Sequence, residues 1–160
     1  MSLISFIKEA GEKLFQRAAP AGTAALTPQD VARLNDAAGR ALADYIGSQH
    51  LRVDNLQVSF DGASGTVAVS GTAADQATKE KIVLCCGNVS GVEKVDDRLG
   101  VAKAAEREAR YYTVERGDTL SGIAKTQYGD ANDSMKVFEA NRPMLNHPDR
   151  IYPGQVLRIP

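Results

Sequence analysis

Hydrophobic residues recur at helical spacing in the stretch that follows Thr27. Six of them each have another three or four positions away, as expected for one face of a helix: Val31, Leu34, Ala38, Ala41, Leu42 and Tyr45. Thr27 is a typical N-cap residue, and Pro28 suits the first helical turn because its missing N–H has no partner there. Gly47 and Ser48 predict the end of this first helix.

Alternating and helical patterns follow in turn up to residue 102. Apolar residues recur through 51–60, which predicts a strand; 61–65 reads DGASG, which predicts a turn; and 66–70 predicts the returning strand. A second helix is predicted from Asp75 to about Cys86, with Gly87 ending it, and a third strand over 92–101. The order helix, strand, strand, helix, strand indicates a small α+β sandwich with its helices on one face.

The stretch 111–160 has a second, independent pattern. It predicts a short strand at 112–114, a helix capped by Asp118 or Thr119, a further helix over 135–141 and a closing strand at 156–159. The core of such a unit is small, so we expect the second domain to pack against the first. The fold class is therefore α+β in two small domains, αββαβ followed by βααβ.

Two breaks in the pattern divide the chain. Residues 18–28 are rich in Ala and Pro, which is typical of a linker, and 103–110 lack an apolar stripe. These breaks predict an N-terminal segment at 1–17, a linker at 18–28, a domain at 29–102, a linker at 103–110 and a domain at 111–160. Mixed charges in the N-terminal segment favour packing on the first domain over the alternative, an amphipathic membrane anchor.

Composition and charge exclude several classes of function. The 19 basic and 20 acidic residues give a net charge of −1, which argues against a nucleic-acid binder. The adjacent Cys85 and Cys86 cannot form a disulfide framework, and two histidines are too few for a metal cluster. Cys85 and His50 lack a third residue to orient them, so we do not expect an enzyme. No export signal or membrane segment is evident, which predicts a cytoplasmic protein without membrane contact.

The residues of both domains resemble known families. The second domain resembles a LysM domain, through YTV at 112–114, GDTL at 117–120 and IYPGQVLRIP at 151–160. The first resembles a BON domain, through GTVAVSG at 65–71 and GVEKVDD at 91–97. An N-terminal segment followed by BON and LysM domains is similar to the Kbp family of cytoplasmic potassium-binding proteins.

This resemblance implies a potassium site made of backbone oxygens. The implied K⁺ ligands are the carbonyls of Ile7, Lys8, Ala10, Gly87, Val89 and Val92. Neutral carbonyl dipoles suit a large monovalent ion, whereas a carboxylate cage selects Ca²⁺ or Mg²⁺. Without the resemblance, 87–92 is an ordinary helix-to-strand turn. The family also implies a monomeric K⁺ sensor or buffer whose BON and LysM domains come together on ion binding.

The LysM resemblance implies an alternative function, the recognition of N-acetylglucosamine polymers such as peptidoglycan or chitin. The candidate glycan-binding residues lie on two loops: Gly117, Asp118, Thr119, Leu120, Asn141 and Tyr152. Tyr152 supplies either an aromatic face for a sugar or a packing group under the Pro153–Gly154 turn. Because no export signal is evident, we do not expect the chain to meet peptidoglycan.

Overall fold

The computed structural model describes residues 27–103 and 107–160. In the first domain the elements are helix α1 (Pro28–Ser48), strands β1 (Val53–Asp61) and β2 (Thr66–Ala73), helix α2 (Gln76–Gly87) and strand β3 (Lys94–Val101). In the second they are strand β4 (Arg110–Thr113), helix α3 (Leu120–Tyr128), a 3-10 turn (Ala131–Asp133), helix α4 (Ser134–Ala140) and strand β5 (Val156–Ile159). This order confirms the predicted α+β fold of two small sheets.

Side-chain caps begin three of the helices. Thr27 and Asp30 form a reciprocal capping box at the start of α1, with each side chain accepting a hydrogen bond from the other's backbone N–H. Asp75 caps α2 by accepting from the Thr78 N–H at 2.8 Å. Of the two predicted caps of α3, Thr119 accepts from the Gly122 N–H at 3.1 Å. These caps set the first residue of each helix close to its predicted position.

The first sheet has the order β1-β2-β3, and both helices cover one of its faces. Strand β1 pairs antiparallel with β2, and β2 pairs parallel with β3 through the α2 crossover. The pairing of β1 with β2 shifts register between Asp54 and Gln57, where Asn55 has a φ of 54°. The buried core joins both helices to the sheet: Leu42, Ile46, Phe60, Val67, Val69, Ala73, Ile82, Cys85, Cys86 and Leu99.

The second domain has a separate core beneath its two-stranded sheet. Strands β4 and β5 pair antiparallel, with Tyr112 opposite Leu157. Helices α3 and α4 complete the core, whose buried members are Val114, Leu120, Ile123, Ala124, Val137, Phe138, Leu145, Leu157 and Ile159. Among residues 27–103 and 107–160, the helices are all too short or too polar to cross a membrane.

The end of α2 differs from the sequence-based expectation. Gly87 is the last helical residue, Asn88 is the C-cap with a φ of −88°, and the left-handed residue is Gly91, with a φ of 87°. The chain turns in the right-handed region after the helix because the Val89 N–H binds the Cys86 carbonyl at 3.3 Å. Strand β3 accordingly begins at Lys94, two residues after the predicted start.

Candidate functional site

The loop 87–92 leaves the C-terminus of α2 through two successive turns. The Asn88 N–H binds the Leu84 carbonyl at 3.0 Å, and the Val92 N–H binds the Val89 carbonyl at 3.1 Å. A helix C-terminus leaves its last carbonyls without intrahelical partners. Within the described part of the chain, the Gly87 and Val92 carbonyls accept no backbone hydrogen bond, and Val89 keeps a second lone pair. The loop therefore presents neutral oxygen atoms suited to a monovalent cation.

The far end of the loop is fixed to the turn that joins β1 and β2. Both the Glu93 and Lys94 N–H groups bind the Gly65 carbonyl, at 2.8 and 3.3 Å. Gly65 has a φ of 61°, and a Cβ atom built there would lie 3.1 Å from the Gly91 carbonyl oxygen. Glycine at position 65 thus allows the turn to approach the loop closely.

Three of the six predicted K⁺ ligands lie in this loop, namely Gly87, Val89 and Val92. The other three, Ile7, Lys8 and Ala10, lie outside the described residues, so the complete ligand set stays a prediction. In residues 27–103 and 107–160, no three His, Cys, Asp or Glu side chains are grouped as metal ligands. The loop 87–92 itself contains none of these four residue types, and its backbone carbonyls are neutral oxygen donors.

A small cavity of about 20 Å³ lies beside the loop, between the two domains. Residues of both domains line it: Tyr45, Leu84, Cys85, Asn88, Val89, Met144, Tyr152 and Gln155. This volume is enough for about one water molecule. Burial raises the pKa of Tyr152 and, more strongly, that of Tyr45, so both phenols are neutral and can donate hydrogen bonds.

Asn88 connects the loop to the second domain. Its Nδ2 donates to the Val156 carbonyl at 3.1 Å, and its Oδ1 accepts from the Val156 N–H at 2.9 Å. The side-chain amide thereby occupies the position that a neighbouring strand would take beside β5. Sequence analysis missed Asn88, although its place between two implied ligands was a signal that could have identified it.

A buried ion pair makes a second contact between the domains. Glu80 on α2 is 3% exposed and accepts from Arg158 Nε of β5, from Gln76 Nε2 at 2.9 Å and from the Ala109 N–H at 2.9 Å. Burial acts to raise the pKa of Glu80, but these hydrogen bonds and the Arg158 charge together outweigh burial and lower it. Glu80 is therefore ionised at neutral pH. No local pattern signalled this pair, because its partners are far apart in sequence.

The two cysteines are buried in the core of the first domain. Burial raises the pKa of Cys86 to about 12, and burial with the nearby Cys86 raises that of Cys85 further. Both groups are neutral thiols at physiological pH, which is the unreactive form.

The candidate glycan-binding residues already have partners within the protein. Asn141 is 2% exposed and binds Val137 and Arg158, while Thr119 caps α3. Asp118 accepts from the Tyr112 hydroxyl at 2.9 Å and from the Glu115 N–H at 2.8 Å.

The three remaining candidates differ in their surroundings. Leu120 lies in the core, Gly117 has a φ of 93° in an open turn, and Tyr152 lines the interdomain cavity. The glycan-binding set stays a prediction, because several of its side chains are buried or already hydrogen-bonded within the protein.

Comparisons with known proteins agree with this architecture. The BON domain family model matches residues 30–103, and the LysM domain model matches 112–160. The potassium binding protein Kbp of Escherichia coli O6:H1 (strain CFT073) is 42% identical over 160 residues, which cover 100% of this chain and 99% of that protein. An uncharacterized protein of Deinococcus radiodurans is 42% identical over 82 residues, covering 45% of this chain and 32% of that protein.

Proposed function

Because the chain belongs to the Kbp family, we propose that it binds K⁺ reversibly and acts as a K⁺ sensor or buffer in the cytoplasm. The observation that carries this proposal is the similarity over the whole chain to a protein named for potassium binding. Family membership and the two binding-type domains favour a binding protein over an enzyme. The Gly87 and Val92 carbonyls, which accept no backbone hydrogen bond within the described residues, support the proposal physically.

The proposed ligands are the carbonyls of Gly87, Val89 and Val92 together with those of Ile7, Lys8 and Ala10. A ring of neutral carbonyl dipoles replaces the water shell of a large monovalent ion without adding the negative charge that attracts divalent ions. Supplying ligands from two distant parts of the chain means that ion binding orders them relative to one another. The cost of this ordering offsets part of the ion–carbonyl energy and favours reversible binding.

Ion binding is further proposed to draw the BON and LysM domains of the monomer together. The loop 87–92 lies next to the contact of α2 with β5, so a change in the loop backbone acts directly on that contact. An ion can shift the closed arrangement only by its differential affinity for the two states. Because the loop lies between the domains, its affinity for the ion can differ between the closed and open arrangements.

The test is isothermal titration of the chelator-treated full chain in potassium-free buffer. KCl is compared with NaCl and CaCl₂ at matched ionic strength, and deletion of residues 1–12 provides the matched variant. We expect saturable heat with KCl alone and its loss in the deletion, which removes Ile7, Lys8 and Ala10. An absence of K⁺ heat in the full chain would overturn the function, whereas retained affinity in the deletion would overturn the ligand set. Sedimentation with insoluble chitin or peptidoglycan then tests the glycan alternative.

A further inference from the structure

Strand β5 has one edge that pairs with β4 and another that faces away from it. On the β4 side, the Val114 N–H binds the Gln155 carbonyl at 2.8 Å. Side-chain amides bind the other edge at alternate residues. Asn88 takes both backbone groups of Val156, and Asn141 takes both backbone groups of Arg158. The free edge of β5 is thus satisfied by two asparagines, one from each domain.

These two asparagines have different neighbours along the chain. Asn141 ends α4 within the second domain, whereas Asn88 lies between Gly87 and Val89, two of the proposed K⁺ ligands. The Gly87 carbonyl belongs to the peptide unit that joins Gly87 to Asn88, so it cannot rotate toward or away from an ion without changing the backbone dihedrals at Asn88, whereas the Val89 carbonyl lies two peptide units further along the chain. Such a rotation changes the direction of the Asn88 side chain and with it both hydrogen bonds to Val156.

We propose that Asn88 is the positioning residue that couples cation binding at the loop 87–92 to the docking of the second domain. The inference rests on the proposed function and adds the residue through which it acts. Because coupling between two binding equilibria is reciprocal, docking on Val156 raises the affinity of the loop for K⁺ by the factor by which K⁺ favours docking.

The Glu80–Arg158 pair connects the same two domains as Asn88 but does not involve the loop 87–92. Glu80 lies two turns before the end of α2, and its partners are Gln76, Ala109 and Arg158. None of these belongs to the loop. Glu80→Gln therefore weakens the contact between the domains and leaves the link between loop and β5 intact, which makes it the matched control for Asn88→Ala.

The test follows individual backbone amides of the full chain by NMR during a KCl titration, with NaCl as the ionic-strength control. In the wild type we expect the Val89 and Val156 N–H signals to shift with the same K⁺ midpoint. In Asn88→Ala, the Val89 signal still responds, the Val156 signal no longer does, and the K⁺ midpoint rises about tenfold, within the usual range of coupling between sites. In Glu80→Gln, both signals still respond together.

Each result has a defined consequence. No K⁺ response anywhere in the wild type overturns the proposed function and the coupling together. A wild type that binds K⁺, with Val156 responding equally in Asn88→Ala, overturns the coupling alone.

If Asn88→Ala does not fold, Val156→Pro removes one of the two hydrogen bonds, the one that the Val156 N–H donates to Asn88 Oδ1, and the Leu157 N–H serves as the reporter. Proline is tolerated here because the Val156 N–H faces away from β4. A Leu157 signal that follows the K⁺ titration in Val156→Pro with the same amplitude and midpoint as in the wild type counts against the coupling.

Discussion

Asn88 and Asn141 come from different domains, but their side-chain amides bind the same edge of strand β5, at Val156 and Arg158. The two amides act as a substitute for a third strand, since an unpaired edge exposes N–H and C=O groups that must find partners. The Asn141 amide binds β5 from within the LysM domain, whereas the Asn88 amide binds β5 from the BON domain and so connects the two domains.

Replacing Asn141 by alanine is expected to destabilise the protein by about 2 to 4 kcal/mol. The substitution removes the hydrogen bonds to Val137 and Arg158 and leaves buried backbone groups without partners. Urea unfolding measures the change. Asn132→Ala is the control, since Asn132 is exposed and its side chain makes no hydrogen bond within the described residues. Equal stability of the two variants would contradict the structural role of Asn141.

Proline at position 89 is expected to abolish K⁺ binding, whereas Val89→Ile is expected to preserve it. Proline removes the N–H that binds Cys86 and drives the preceding Asn88 away from its φ and ψ of −88° and 4°. Isoleucine changes only the side chain, and the proposed ligand is the backbone carbonyl. Titration calorimetry with KCl compares the two variants. Far-UV circular dichroism checks that both fold, and full K⁺ affinity in Val89→Pro would contradict a site that depends on the backbone conformation of this loop.

Local sequence signals were sufficient for the elements of each domain. Thr27, Asp75 and Thr119 are caps whose side chains bind the backbone N–H three residues ahead, so their effect can be predicted without tertiary structure. Gly87 shows the limit of such signals. A glycine after a helical pattern predicts the turn, but the left-handed position is taken by Gly91 because loop hydrogen bonds extend the right-handed backbone past Gly87.

The contacts between the domains could not be predicted in the same way. Along α2, Gln76, Glu80, Leu84 and the cap Asn88 lie four residues apart and face the second domain. This row mixes polar and apolar residues, so it gives no hydrophobic periodicity. Its partners on β5 lie some 70 residues away in sequence. For the same reason the sequence alone makes Asn141 a candidate glycan-binding residue, although its amide is used within the LysM domain.

The Glu80–Arg158 pair is expected to make stability depend on pH below about 5. The folded-state pKa of Glu80 lies below its ordinary value of 4.5, so its ionised form stabilises the fold fully above that value. This contribution is lost as the pH falls through 4.5 toward the folded-state pKa. Glu80→Gln leaves Arg158 without its counter-charge and is expected to cost about 2 kcal/mol at pH 7.

The measurement is the difference in unfolding free energy between the wild type and Glu80→Gln from pH 3 to pH 7. The difference is expected to be constant above about pH 5 and to shrink at lower pH. Glu139→Gln is the control, because the Glu139 side chain is more than half exposed and its substitution should change little. A difference that stays constant down to pH 3 would show that the Glu80 carboxylate is not stabilised by folding.

Two glycines of helix α1 are expected to respond to alanine with opposite signs. At Gly39, which is buried, an added Cβ would lie 2.9 Å from the Val58 carbonyl oxygen of β1, so helix and strand must separate. Such overpacking costs about 1 to 3 kcal/mol. At Gly47, no atom lies within 4 Å of the added Cβ, and alanine gains about 0.5 to 1 kcal/mol from its higher helix propensity.

Thermal unfolding of the two variants beside the wild type tests this difference, and each serves as the control for the other. Both substitutions add the same methyl group to the same helix, so a difference in sign reports the surroundings of the helix instead of its intrinsic propensity. If Gly39→Ala were as stable as Gly47→Ala, α1 could not pack against β1 at the closeness that the structure describes. A Cβ atom at position 39 would then fit only if α1 lay farther from the Val58 carbonyl oxygen than the structure describes. Leu42 and Ile46, which follow on the same helix, would in that case make less contact with the sheet.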